Sequence, residues 1–292
     1  VKQKIILEAI KAYLDVYSNQ SVVRLRKRSL KRFNENVEAT KLKLEAGTVT
    51  PTVLAEAQSK YAKAKYELIL AEGNLNNYTS KFKSITKLES VPNNLKLPKL
   101  NFKIPKTINK AVKLSLENNP IILVAKLEKD IAKKNVDLKK SNNRPSLKME
   151  FFGKDSQSSV NTSTSDFQSY GANLTFSTPL FYNESTKDNI RRLDKLFIAT
   201  SFDLSEKNRQ VELRAISSYQ NYKSTLAKTS ASRSEKISSL LALNGIKKEA
   251  QFGIRTVLDV LDAEVEYLNA STNVIKSKAD EIYSQFHIKS IL

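Results

Sequence analysis

Gly253-Ile254-Arg255-Thr256-Val257-Leu258-Asp259-Val260-Leu261-Asp262-Ala263 is the stretch on which the reading of the chain turns. Glycine tolerates the left-handed backbone that ends many helices, so Gly253 reads as a C-terminal stop. Thr256 then stands where an N-cap would open the next helix. The stretch is therefore the tight tip of a helical hairpin. The same grammar recurs at Gly47-Thr48-Val49-Thr50, where Pro51 takes the first-turn position it favours. The offset between the two tips is 253 − 47 = 206, and it also pairs Tyr13 with Tyr219, Thr50 with Thr256, Ala57 with Ala263 and Tyr61 with Tyr267. It reaches Lys83-Ser84-Ile85 against Lys289-Ser290-Ile291 without a gap. An ungapped register over about 75 residues is the mark of a duplication. The chain is expected to hold two copies of one long unit, with the first cut short at its start.

Outward from the second tip the pattern is helical. From Asn183 to about Ala250 there is no Pro and only Gly245 interrupts. Apolar residues recur at threes and fours: Ile190, Leu193, Leu196 and Phe197, then Ile216, Tyr219 and Tyr222, later Ile237, Leu240 and Leu241. A helix of that length would run roughly 100 Å. Such lengths belong to coiled coils or repeat-built helical tubes.

Between the copies the pattern changes. Asn118-Asn119-Pro120 opens a helix that is expected to reach Asn142, and Pro145 ends it. Leu147, Met149 and Phe151 then alternate with Lys148 and Glu150. A polar stretch, 157–168, reads as a loop. Beyond it Tyr170, Ala172, Leu174 and Phe176 alternate with Gly171, Asn173, Thr175 and Ser177, and Pro179 closes the run. Two period-2 segments of about ten residues make a β-hairpin with one apolar face. That length also suits a tilted bilayer crossing, with the apolar face to lipid and the polar face to water. The aromatics Phe151, Phe152, Tyr170, Phe181 and Tyr182 are expected near strand ends, as an interfacial girdle. A soluble hairpin packed on the helices fits the alternation equally well. An isolated hairpin is marginal in water, and in a membrane its edges must be closed, so either form needs partners beyond this chain.

Composition narrows the function. The 292 residues hold 49 Lys+Arg against 30 Asp+Glu (net +19), one His, no Cys, no Trp, 6 Gly and 7 Pro. So few backbone breakers disfavour folds rich in turns. Without Cys there are no disulfides, thiolate zinc sites or cysteine nucleophiles, and one His excludes multi-histidine metal sites. No phosphate-cradling glycine motif is present. No catalytic residue, cofactor or metal site is therefore expected, and the chain reads as no enzyme. No apolar run reaches the length of a transmembrane helix. Val1 lacks a start Met and opens into helical sequence with no signal-peptide pattern, so the chain is expected to be a fragment. The densest basic stretch, Lys96, Lys99, Lys103, Lys106, Lys110 and Lys113, reads as a solvated linker punctuated by Pro92, Pro98 and Pro105. With no basic-plus-aromatic reading surface, nucleic acid is not expected as a partner. His287 lacks a companion ligand and reads as a packed or surface residue.

The sequence resembles the TolC family of bacterial outer-membrane channel-tunnels over nearly its whole length. The resemblance rests on the 253–263 stretch, Ile288-Lys289-Ser290-Ile291-Leu292, the Asn119-Pro120 helix start, Arg144-Pro145 before the first strand and Thr178-Pro179-Leu180 after the second. It implies a mainly α fold with a β-hairpin: very long helical hairpins forming a trimeric α-barrel, the strands joining a trimeric 12-strand outer-membrane β-barrel. The corresponding divisions are 1–87, a first-repeat helical hairpin with its tip near 47–52; 88–118, a linker or equatorial segment; 119–144, a second-repeat helix; 145–180, the outer-membrane hairpin; and 181–292, the second-repeat long hairpin with its tip near 253–256. By the offset, the partner of Pro120 would fall at 120 − 206 = −86, so the first copy's earlier helix and hairpin are expected upstream, and the chain stops inside its last helix.

The resemblance further implies a homotrimeric, passive exit duct in the outer membrane and periplasm of a Gram-negative bacterium, contacting outer-membrane lipid. A periplasmic adaptor and an inner-membrane pump or ABC transporter would recruit it for efflux or type I secretion. Asp259 and Asp262, three apart on one helix face, match the family's constriction aspartates. In a three-fold assembly they would make a cation-attracting carboxylate ring. On spacing alone they fit a solvated face with first-turn acids favoured by the helix dipole. Arg255 matches an arginine that holds the tip closed. Val53 stands where the first copy's tip often has an acid, leaving Thr52 as a hydroxyl partner. Gly47, Thr50, Gly253 and Thr256 mark the tips where adaptor hairpins would dock. Met149, Phe151, Ala172, Leu174 and Phe176 would face lipid. The competing reading is a structural coiled-coil scaffold whose hairpin is a soluble dimerisation element. The alternation separates the two, since a duct leaves the apolar face bare toward lipid and a scaffold covers it with protein.

Overall fold

A computed structural model describes residues 2–98, 102–160, 163–180 and 184–292. They form six helices and one two-stranded antiparallel sheet among the described residues: α1 (Lys2–Glu45), α2 (Pro51–Thr86), α3 (Ile108–Asn118), α4 (Pro120–Ser141), β1 (Ser146–Val160), β2 (Ser163–Ser177), α5 (Glu184–Gln251) and α6 (Val257–Ile291). The fold is thus mostly helical with a small β-hairpin. It divides into two units, residues 1–115 with 212–292, and residues 116–211.

In the first unit, α1 lies along α2, and α6 packs against both. Ala57, Ala64 and Ala71 of α2 are buried at intervals of seven, the repeat that keeps one seam facing its partner. Small side chains there admit bulk from the facing helices: Phe33 and Leu261 at one level, Val22 and Val23 at another. Gly245 lies within α5 and does not end it.

The basic linker differs from the expectation of a freely solvated segment. Tyr13 Oη donates to the carbonyl of Lys96 at 2.6 Å, and Tyr219 Oη donates to that of Lys106, also at 2.6 Å. These tyrosines occupy equivalent positions in the two repeats. Gln20 and Arg24 donate to Pro92 O and Asn94 Oδ1, both at 2.8 Å. Leu95 is buried with Ala12, Val16 and Phe82, and Ala111 with Tyr219 and Ile288. The backbone is seated because its carbonyls find hydroxyl donors and its apolar residues find cores. Its last residues, from Ile108, are helical.

In the second unit, Asn119 Oδ1 accepts from Ile121 N at 3.0 Å, capping α4 with Pro120 in its first turn. Lys140 pairs with Asp194 at 3.6 Å, and the Lys129 ammonium lies 5.9 Å from the Phe197 ring centre, which joins α4 to α5. The hairpin register pairs Leu147 with Phe176, Met149 with Leu174 and Phe151 with Ala172. Alternation places all six on one face. The strands are 15 residues each, longer than the ten expected, and pairing continues through most of the stretch read as a loop, from Gln157↔Asp166 to Val160↔Ser163. The ladder joins backbone groups, so serine and threonine extend it without an apolar face. As a result Phe151, Phe152 and Tyr170 lie within the strands and not at their ends. Phe181 and Tyr182 lie outside the described residues. Phe152 covers Gly171 across the polar face, where an added Cβ would come within 2.5 Å of its ring.

Candidate functional site at the helical tips

Both tips close by the same backbone device. Gly47 and Gly253 sit at φ +71° and +74°, where other residues are strained. Thr48 N donates to Lys43 O and Gly47 N to Leu44 O, both at 2.9 Å. At the second tip Ile254 N reaches Glu249 O at 3.0 Å and Gly253 N reaches Ala250 O at 3.2 Å. These paired bonds satisfy the orphan carbonyls at the end of each helix.

The restarts differ in their caps. Thr256 Oγ1 accepts from Asp259 N at 3.1 Å, while Asp259 Oδ2 accepts from Thr256 N and Oγ1 at 2.8 Å each, a complete capping box. Thr50 makes no side-chain cap bond, and Val53, three residues on, has no carboxylate to reach back. Thr256→Ala should therefore lower stability by about 1 kcal/mol. Thr50→Ala should cost less, and paired thermal unfolding of the two variants checks the difference.

Asp259 accepts from the Thr256 backbone N–H and hydroxyl, with the Arg255 charge adding to the effect, and its carboxyl is held below the usual carboxylate range. A depressed folded pKa stabilises α6 above the unfolded value of about 3.9 and loses that stabilisation as pH falls through the folded value. Loosening of this helix start on acidification below about pH 4, read by amide exchange at 257–260, is the expected signature.

The other site residues have different partners. Arg255 Nε donates to Glu249 Oε2 at 2.9 Å, within the same hairpin, and this bond holds the guanidinium further toward its charged form. Asp262, on the exposed side of α6, pairs with Lys60 of α2. Thr52 is exposed, and none of the side-chain hydrogen bonds among the described residues uses it. The two tips do meet: a groove of about 500 Å³ is lined by Thr50 and Val53 of one and Gly253, Arg255 and Thr256 of the other. Asp259 and Asp262 thus arrive on adjoining turns of one helix, the first engaged in its cap and the second tied to a neighbouring helix.

One charged cluster escapes sequence reasoning. Glu264 is 1% exposed, three residues after Leu261 and four before Leu268 on the buried face of α6. It pairs with Arg32 of α1 and with Lys247 of α5, the latter at 3.6 Å. An acid in phase with an apolar stripe was the available signal. His287 is half-buried, its Nδ1 3.3 Å from Ser218 Oγ, and burial lowers its pKa.

Comparison with known proteins agrees with this architecture. Residues 111–287 match the family described as outer membrane efflux protein. The chain is 23% identical over 305 residues to the outer membrane protein TolC of Escherichia coli, covering 100% of this chain and 62% of that protein. It is 22% identical over 285 residues to the outer membrane efflux protein BepC of Brucella suis, covering 98% of this chain and 62% of that protein. The chain therefore spans about three fifths of the length of these relatives. The crystal structure of the open state of the Neisseria gonorrhoeae MtrE outer membrane channel superposes with a TM-score of 0.75 at 16% identity, over 99% of this chain and 66% of that one. The chain belongs to the outer membrane efflux protein family.

Proposed function

We propose that this chain is part of a trimeric exit duct spanning the outer membrane and periplasm of a Gram-negative bacterium, passive in itself. A periplasmic adaptor and an inner-membrane pump or ABC transporter would drive it. The observation that carries this reading is the bare apolar face of the hairpin. Leu147, Met149, Phe151, Leu174 and Phe176 are 60–74% exposed on one side, while the other side carries Lys148, Glu150, Asn173 and Thr175. Lipid is the solvent that such a face suits, and three copies of the full-length protein, each contributing this hairpin and the one expected upstream to 12 strands, would close its edges. A coiled-coil scaffold would have to cover those side chains with protein. The test is membrane fractionation of the full-length protein followed by native sizing in detergent. A trimer in the outer-membrane fraction is expected, and a soluble dimer would overturn the reading.

At the tips, Asp259 and Asp262 from three protomers would form the carboxylate ring, Arg255 would restrain opening, and the surfaces around Gly47–Thr52 and Gly253–Thr256 would receive the adaptor. Because Asp259 also caps α6, asparagine is the better replacement there, since it retains a cap acceptor. Asp259→Asn with Asp262→Asn should reduce cation selectivity and abolish block by a trivalent cation in planar-bilayer recordings. Lys60→Gln should do the opposite, because it unpairs Asp262. Unchanged selectivity in both variants would leave the acids as a cap and a surface ion pair.

A further inference from the structure

Toward the tips the second helical hairpin is held unevenly. Its α6 is seated by apolar contact: Leu261, fully buried, packs with Phe33 of α1 and Ala57 of α2. No residue of α5 joins that cluster. Between α5 and α1 lies a gap of about 250 Å³, bordered by Asn36, Thr40 and Lys43 on one side and by Lys247 and Gln251 on the other. Lys43, Ala250 and Val257 border both this gap and the tip groove, so the two adjoin. What spans the gap is charge. Glu264 of α6 takes Arg32 from α1 and Lys247 from α5. Both Glu264 carboxylate oxygens, and Nε and Nη2 of Arg32, are covered yet make no hydrogen bond, so charge attraction alone offsets their burial. The other ion pair between the two hairpins among the described residues, Lys60 with Asp262, is largely exposed, and such pairs hold little.

From this geometry we infer that Glu264 is a positioning residue for the gate: its carboxylate ties the tip end of α5 to the first hairpin, and release of that tie frees the tip. The inference rests on the duct reading, under which the tips border the constriction. An apolar plug would fill the gap and fix α5 in one place, whereas an ion cluster can exchange partners. When Arg32 leaves, Glu264 keeps Lys247, so its charge is not left bare. Arg32 in turn lies three residues before Glu35, an exposed acid on the same helix that Lys31 holds only at 3.9 Å. Each charge has a partner in both arrangements, as a two-position element requires. Arg255 does not make this tie within the chain, because its partner Glu249 belongs to its own hairpin.

The test takes two readings on the full-length protein. One is single-channel conductance in planar bilayers. The other is the rate of maleimide labelling of Ala250→Cys, on α5 beside the gap, followed on the peptide that carries it; the 292 residues hold no other Cys. Glu264→Gln keeps size and polarity and removes the charge. It should raise conductance at least about twofold and speed labelling about fivefold, as the freed tip opens locally. Arg32→Gln should act in the same direction and more weakly, since Lys247 stays on Glu264. Arg26→Gln breaks a partly buried pair with Glu67 inside the first hairpin, so it loosens that hairpin without touching the tie. It should change neither reading by more than about 1.5-fold. Equal effects of Glu264→Gln and Arg26→Gln would overturn the inference in favour of general loosening. Unchanged labelling in Glu264→Gln would show that the carboxylate does not hold α5. Faster labelling with unchanged conductance would show that it holds the helix without gating, and either result ends the proposal. A parent protein that forms no channel would fail the duct reading instead, and labelling would still decide whether Glu264 holds the tip.

Discussion

Leu174→Arg in the full-length protein is expected to abolish most membrane-assembled trimer, seen as its loss from semi-native electrophoresis of membrane fractions. Leu174 lies opposite Met149 on the bare face and is 66% exposed. Under the proposed function that exposure is to hydrocarbon, where arginine costs about 2–4 kcal/mol near the bilayer midplane. Phe176→Arg should act in the same direction and more weakly if it sits nearer an interface. The neighbouring position supplies the control. Asn173 is on the other face, opposite Glu150, so Asn173→Lys adds a cation beside a carboxylate in water. Equal damage from Leu174→Arg and Asn173→Lys would show that neither face meets lipid.

The second large effect is expected at Glu264. Its carboxylate is buried, and its partners are less so: Arg32 and Lys247 keep 34% and 42% of their side-chain surface exposed, with Arg32 Nε and Nη2 themselves covered. This makes the cluster asymmetric. Arg32→Met with Lys247→Met leaves a buried carboxylate with no cation, for which about 3–5 kcal/mol is the expected cost. Glu264→Leu leaves Lys247 free to turn to solvent, requires the Arg32 guanidinium to swing outward on its exposed stem, and puts an apolar side chain beside Leu261 and Leu268, so it should cost clearly less. Denaturant midpoints of the two variants, measured against the parent, give the comparison. Comparable destabilisation by both would mean that the cluster acts through packing and not through the buried charge.

The parts of this protein that were legible from sequence share one property: their causes lie within a few residues. A glycine three places before a threonine sets the two tips, because left-handed backbone and N-capping are local. Asn119 before Pro120 starts α4 for the same reason. Alternation from Leu147 to Phe151 and from Tyr170 to Phe176 gives the faces of the hairpin, since the strand period belongs to each strand alone. Thr50 takes the N-cap position the sequence assigns it, but the absence of its side-chain cap bond was not legible there. Strand length was misjudged because a serine-rich ladder bonds through its backbone and leaves no side-chain signal. The remaining features needed the tertiary structure. Lys60 meets Asp262 across 202 residues of chain, Tyr219 meets Lys106 across 113, and Glu264 draws one partner from α1 and another from α5. Such pairings depend on the axial register between packed helices, which the seams around Ala57, Ala64, Leu261 and Leu268 set jointly and no single helix carries. The sequence alone therefore determined the helical hairpins, their tips and the two-faced β-hairpin, whereas only the packing decided which charges pair, which carboxylate is buried and where the basic strap is held.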